Sequence, residues 1–434
     1  MSSSFAKVQA LRPSARKAAL LVLAETAKGM PLQSAVSRAL DSMVLSPEAR
    51  RQATDLAYWC LRAQVRCQFV LSRLFPKFDR FAAPVRHLLL AACTALLFQE
   101  GAPAYAVVNE TVEDIRSLAG KSVAGAANGG LRSLLRLGDA VKHRDYYRLD
   151  GEDDFTAFCR YTSFPLALGR LLVKECGEEK AEAVMQQSFA RPVPCVRLNV
   201  KKAGWEELKA ELVRKGAEPL EAGISSCGLS FPKGIPADVS LAALAREGKA
   251  TLQAAGSQLA LGALHLDKDA PLWDACCGFG GKTTALLEAG YRVELASDLS
   301  WQRISCLSGE CSRLGLKAPA SLLCDGAHAP FMRWDGTILL DVPCSGLGVL
   351  ARRPDIKMRK RDVAQYVKTQ RALLERAVLM APKGRDVVYM TCTVTKSENK
   401  SLVRNVCQSY DAEIAEEWAS DAPYEGMYAC RIRV

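Results

Sequence analysis

Apolar residues recur at three- and four-residue spacing from Ala10 to about Arg136, most densely over residues 18–23, 56–70, 85–98 and 107–118. That period predicts amphipathic helices. Breaks fall at Gly29-Met30-Pro31, Ser46-Pro47, Phe75-Pro76 and Gly101-Ala102-Pro103, where the residue types stop or start helices. An all-α N-terminal domain over residues 1–145 follows. A polar, charged stretch over 142–154 marks its end, and short mixed elements come next: two helices in 165–187, a strand over 193–199, a helix over 205–215, then Gly228-Leu229-Ser230-Phe231 and the turn Pro232-Lys233-Gly234. This reads as a small α+β extension over 150–250. From Pro271 the rhythm is strand, helix, strand, with buried-strand runs at 272–275, 292–297, 321–324, 337–342 and 386–391. Such alternation predicts a doubly wound, Rossmann-like α/β domain over 251–434, with 427–434 as an added edge strand.

The chain's 434 residues, 49% hydrophobic and 24% charged, suit a globular protein with a sizeable core. No apolar run approaches the roughly 20 residues of a membrane span. Because no basic segment followed by an apolar stretch opens the chain, a cytoplasmic location is expected. The 16 cysteines are scattered, with no Cys-x-x-Cys spacing, and are read as reduced thiols. Four histidines, none at ligand spacing from a cysteine pair, argue against a zinc site, and no metal is expected. Of the net charge of +11, most lies early: residues 1–150 hold 21 Lys and Arg against 12 Asp and Glu, and the remainder 37 against 35. A basic helical domain suits a polyanionic partner, nucleic acid first, although charge alone is equally compatible with a surface kept soluble by it.

Chemistry concentrates after residue 270. Asp274-Ala275-Cys276-Cys277-Gly278-Phe279-Gly280-Gly281-Lys282-Thr283 sits between a strand and a helix, where bare backbone N–H groups and a helix N-terminus would meet a ligand. It fits neither a P-loop, which needs Gly where Cys276 stands, nor a dinucleotide fingerprint, which needs a small residue at Thr283. Asp298 and Asp325 close the next two strands, and three acids at successive strand ends suit S-adenosylmethionine, which offers ribose hydroxyls and no phosphate. Singly, each Asp is as readily a helix N-cap.

Asp341-Val342-Pro343-Cys344-Ser345 and Thr391-Cys392-Thr393 each end a hydrophobic run. In an open α/β sheet the C-terminal strand ends line the ligand crevice, so both thiols are expected beside the cofactor. A thiolate that adds to C6 of a pyrimidine makes C5 nucleophilic, with an acid at N3 that Asp341 is placed to supply. A second cysteine is then placed to assist when the C5 proton leaves.

With these motifs the chain closely resembles the RsmB (Fmu/Sun) group of ribosomal-RNA cytosine-5 methyltransferases, within the wider Nop/Sun family, over nearly its whole length. Asn109-Glu110-Thr111-Val112-Glu113 and Asn128-Gly129-Gly130-Leu131-Arg132 match the NusB-like RNA-binding domain fused to these enzymes, and Arg352-Arg353-Pro354-Asp355-Ile356-Lys357 matches the segment after Pro-Cys. The resemblance implies a class I S-adenosylmethionine-dependent methyltransferase domain. It also implies Cys392 as nucleophile, Cys344 as the thiol that helps release product, and Asp341 on the target base. Cys276, Cys277, Gly278, Phe279, Gly280, Gly281, Lys282, Asp298, Arg303, Asp325 and Asp341 are the implied cofactor contacts. Its expected partner is small-subunit (16S) ribosomal RNA, met by a monomer. Departures from the family pattern include Phe279 for proline, Thr393 for serine and Ala254 for aspartate.

Two other readings stay open on sequence. One is DNA cytosine-5 methylation, with Cys344 as attacker. The other is a non-catalytic RNA-binding assembly factor, motivated by the altered loop and the basic first domain. The cationic run Arg352, Arg353, Lys357, Arg359, Lys360, Arg361 is expected to contact phosphates, or else to form a solvated helix start.

Overall fold

The computed structural model describes residues 7–101, 103–202, 204–221, 227–236, 238–359, 362–420 and 425–434. The chain forms two compact units, Met1–Arg191 with Leu350–Lys360, and Pro192–Val349 with Arg361–Val434.

The first unit is helical: α1 (Ala15–Ala27), α2 (Leu32–Asp41), α3 (Pro47–Arg62), α4 (Gln64–Leu74), α5 (Ala83–Phe98), α6 (Ala104–Leu137), α7 (Asp154–Tyr161), α8 (Leu166–Cys176) and α9 (Glu178–Phe189). Local chemistry sets the boundaries. Ser46 Oγ accepts from Ala49 N and Pro47 takes the first helical position of α3, so the Ser-Pro break is a helix start. Leu88 to Ala92 are all buried, making α5 the apolar centre of the unit. Gly120, at φ 86°, kinks α6 where its sequence reads as one long helix.

Helices α8 and α9, which the sequence pattern places at the start of the α+β extension, pack inside this unit together with α7, which the pattern does not predict. Arg66 is the reason. Its guanidinium lies 4.5 to 5.4 Å from the ring centres of Tyr161, Tyr147, Phe189 and Phe98, and donates to Tyr147 Oη, Val141 O and Tyr161 O. Phe189 also stacks edge-on against Trp59 and Phe98.

The cationic run after Pro-Cys is a correction to the phosphate-contact expectation. Arg353 and Arg359 pair with the buried Asp355. Lys357, 3% exposed, donates to Arg62 O at 2.8 Å and Ser163 O at 3.0 Å. Burial, then the nearby Arg62, pulls the Lys357 ammonium down to about 7. Lys357 is spent inside the helical unit, Arg353 and Arg359 are held by Asp355, and Lys360 and Arg361 lie outside the described residues. Among the described residues no helix is long and apolar enough to cross a membrane.

The second unit holds two sheets. A four-stranded antiparallel sheet of order β2-β3-β1-β4 is made by β1 (Cys195–Leu198), β2 (Leu220–Glu221), β3 (Gly228–Ser230) and β4 (Ala250–Leu252), with helices α10 (Trp205–Arg214) and α11 (Leu241–Arg246). The seven-stranded sheet has the order β10-β11-β9-β8-β5-β6-β7. Its strands β5 (Leu272–Asp274), β6 (Val293–Asp298), β7 (Ala320–Leu323), β8 (Thr337–Asp341) and β9 (Asp386–Thr391) are parallel, at the five positions the pattern predicts. Ile338, Leu340, Val387 and Tyr389 face α16 (Val363–Met380) and α17 (Lys400–Tyr410). Leu339, Val388 and Met390 face α12 (Ala255–Gly262) and α13 (Gly281–Glu288). Alternate residues thus serve opposite faces, and the central strands are apolar throughout because helices cover both. Helices α14 (Trp301–Ile304) and α15 (Leu307–Leu314) connect β6 to β7.

The last strand is not the edge. β11 (Tyr428–Arg433) lies between β9 and β10 (Glu413–Ala419), pairing antiparallel with both. β10 escapes the sequence pattern because Glu413, Glu416 and Glu417 interrupt its apolar positions, as suits an edge strand with one solvated face.

Candidate active site

The ends of β5, β6, β8 and β9 carry the predicted groups. At the end of β5, Asp274 is fully buried and accepts from Thr283 Oγ1 at 2.7 Å through Oδ2, while Oδ1 has no partner. Burial pushes its carboxyl up to about 7. The following loop turns through Gly278 (φ 57°) and Gly280 (φ 84°), left-handed conformations that favour glycine. A Cβ on Gly280 would meet Leu307 Cδ1 at 2.3 Å, so the loop lies flat on α15. Cys277 packs beside Ala296 and Leu307, and burial raises both it and Cys276 away from reactivity. Phe279 stands out at 60% exposure.

Asp298, at the end of β6, accepts from Gly278 N at 3.0 Å and Ser300 N at 2.8 Å and pairs with Arg303 at 2.9 Å. Asp325 lies past β7, where it accepts from Ala327 N at 3.0 Å and lies 2.9 Å from His328 Nδ1, capping its own short turn. Lys282, from the first turn of α13, pairs with Asp341 at the end of β8 and so links the glycine loop to the Pro-Cys segment. Burial alone would lower the Lys282 ammonium, but Asp341 outweighs it and the net direction is up.

Cys344 follows β8 and Cys392 follows β9, and their Sγ atoms are 3.2 Å apart. The pair shares a proton unequally. Hydrogen bonding to Cys344, helped by the Lys282 cation, holds the Cys392 thiol below its ordinary value against burial and Asp341. The same bond, with burial, pushes Cys344 well above. Cys392 N also points at Cys344 Sγ at 3.3 Å, which by itself favours charge on Cys344; the shared proton outweighs it. The direction of the pair thus favours thiolate at Cys392 over Cys344.

Behind the thiols is a buried polar network that motif reading did not single out. Glu398 accepts from Ser345 N, Gln370 Nε2 and Thr395 Oγ1 at 2.8 to 2.9 Å. Asn399 accepts from Thr391 Oγ1 at 2.6 Å and donates to Thr393 O at 2.9 Å. In the sequence Glu398-Asn399 reads as ordinary polar residues opening a helix. Arg197 on β1 was missed as well. It pairs with Glu288 and donates to Gly281 O and Thr284 Oγ1, bracing α13 directly behind the glycine loop.

Several features fit a nucleoside with a sulfonium rather than a phosphate. Nothing lies within 4 Å of a Cβ placed on Gly278 or Gly281, Asp274 has an orphaned oxygen, and Asp298 is an acid at the strand end. The nearby cations Lys282 and Arg303 are each already paired with a carboxylate. Fold and site together define a class I methyltransferase, an enzyme whose methyl donor is S-adenosylmethionine.

Comparison with known proteins makes the class specific. Residues 261–424, which hold the glycine loop and both cysteine motifs, match the family described as 16S rRNA methyltransferase RsmB/F, and residues 13–136 match the NusB family. The ribosomal RNA small subunit methyltransferase B of Pseudomonas syringae pv. tomato is 31% identical over 401 residues, 90% of this chain and 85% of that one. A probable counterpart in Bacillus subtilis is 27% identical over 388 residues, 86% of this chain and 83% of its own. The chain belongs to the ribosomal RNA small subunit methyltransferase B family. Among solved structures, that of PH0851 shares the fold across 98% of this chain and 100% of its own, with TM-score 0.75 at 20% identity. That of NSun6 from Pyrococcus horikoshii shares it across 63% of this chain and 98% of its own, with TM-score 0.54 at 20% identity.

Proposed function

We propose that the protein methylates C5 of a cytosine in small-subunit (16S) ribosomal RNA through a covalent adduct between Cys392 and C6. The observation that carries this reading is the unequal thiol pair: two sulfurs 3.2 Å apart at neighbouring strand ends, with Cys392 lowered and Cys344 raised. The ribosomal RNA comes from the relatives, which are named as ribosomal RNA small subunit methyltransferases.

Cys392 thiolate adds to C6, and the electron pair displaced from the ring is taken up as N3 gains a proton from the Lys282–Asp341 pair. C5 is then nucleophilic. Bound S-adenosylmethionine supplies an electrophilic methyl group. Asp298 and the backbone of Gly278 to Gly281 are the residues that would hold it. Once C5 carries methyl, its proton passes through Cys344 to water, the C5–C6 double bond reforms, Cys392 leaves as thiolate, and N3 returns its proton to the Lys282–Asp341 pair. A base in a duplex cannot reach two thiols at a sheet edge, so the target is single-stranded or flipped.

With cofactor and RNA, Cys344→Ala should leave a covalent RNA–protein adduct on a denaturing gel and Cys392→Ala should leave none. The opposite pattern would make Cys344 the attacker. Absence of cofactor binding by calorimetry at millimolar concentration would favour the assembly-factor reading. Bisulfite sequencing of RNA from a deletion strain identifies the nucleotide.

A further inference from the structure

We propose that Glu398 and Asn399 are positioning residues that divide the work between the thiols, Glu398 holding the Cys344 loop for release and Asn399 holding the Cys392 loop for attack. This rests on the reading of Cys392 as attacker and Cys344 as releaser.

Each cysteine is bracketed on both sides. Around Cys344, Pro343 O accepts from Gln370 Nε2 at 3.0 Å, and Ser345 N donates to Glu398 Oε2, which the same Gln370 nitrogen also reaches. Around Cys392, the residues held by Asn399 are Thr391 and Thr393, its two chain neighbours. Ser345 and Thr393 hydroxyls meet at 2.8 Å, joining the brackets. Glu398 is 0% exposed, and Gln370, Thr391, Ser345, Thr393 and Thr395 are buried with it. Burying a carboxylate among five polar side chains is costly where an apolar core would pack as well. Its three donors offset that cost and orient the backbone on either side of a reacting sulfur. Charged groups face the thiols from several elements: Lys282 from α13, Asp341 from β8, and Glu398 from the turn before α17. The two adjacent residues act on different cysteines, which a generic stabilising role does not require.

The test uses the full chain with cofactor and RNA. Glu398→Gln keeps the shape but turns an amide N–H toward donors, loosening the Cys344 bracket, so adduct should accumulate by about tenfold, the scale of one buried charge-assisted hydrogen bond. Asn399→Ala should instead reduce adduct formation by about tenfold. Without cofactor, iodoacetamide labelling read by peptide mass spectrometry should show the Cys344 to Cys392 labelling ratio moving in opposite directions in the two variants. Should either fail to fold, Gln370→Met removes two bonds from the Cys344 bracket and Thr391→Val one from the Cys392 bracket, and the pair should show the same split. Parallel changes in adduct and labelling for both residues would overturn the proposal. Failure of the parent reading looks different: Cys344→Ala would trap no adduct, while the labelling ratio would still decide the positioning.

Discussion

Arg197→Met tests the brace behind the glycine loop. The side chains of Arg197 and Glu288 are 4% and 6% exposed, with Nε 2.5 Å from Glu288 Oε2. The same guanidinium donates to Gly281 O at 3.2 Å and Thr284 Oγ1 at 3.1 Å, and also reaches Gln253 Oε1. Glu288 Oε1 has no other partner, so methionine would strand a buried carboxylate. Removing one member of such a pair costs about 3–5 kcal/mol. Burial already raises the Glu288 carboxyl, with Arg197 pulling it back, and without Arg197 it rises further. Between the unfolded and folded values the folded state then binds more protons, so stability falls as pH rises through that interval. The deficit should therefore be larger near about pH 8 than near about pH 5. Urea unfolding followed by tryptophan fluorescence, with Trp273 buried in the same unit, reads both. Adding Glu288→Leu should recover more than half of the loss. A single-variant cost below about 1 kcal/mol, a pH-independent deficit, or a double variant no better than the single would refute the reasoning.

Other consequences are equally direct. Cys392 should react with iodoacetamide at lower pH than an ordinary thiol, and Cys344→Ala should shift that profile upward, because the S–H donor that lowers it is gone; an unchanged profile would remove Cys344 from the account. Asp355→Ala leaves Arg353 and Arg359 without their carboxylate and should destabilise the helical unit by about 3 kcal/mol, read by thermal melting. Gly280→Ala demands φ 84° of a residue with a Cβ that would meet Leu307, and should weaken cofactor binding by calorimetry, with about 1–2 kcal/mol lost in stability.

Much of the fold was legible because its signals are local. Helical spacing, Ser46-Pro47 and the five apolar strand runs act within a few residues, and parallel strand order then puts Cys344 and Cys392 on one edge. The end of the helical unit was not legible, because Arg66 draws in Tyr161 and Phe189 from far along the chain. Lys357 looked like a phosphate ligand since a cation in sequence is the same whether solvated or buried. β10 hid behind three glutamates, of which Glu413 and Glu417 are exposed on the edge strand and Glu416 pairs with Arg431.

By itself, then, the sequence determined the elements, the class of sheet and the two thiols at its edge. The tertiary structure decided that those thiols meet and that they differ. Their difference arises from a hydrogen bond between Sγ atoms 48 residues apart, beside a Lys282–Asp341 pair spanning 59 residues. Burial strengthens both interactions, and neither proximity nor burial exists until the chain has folded.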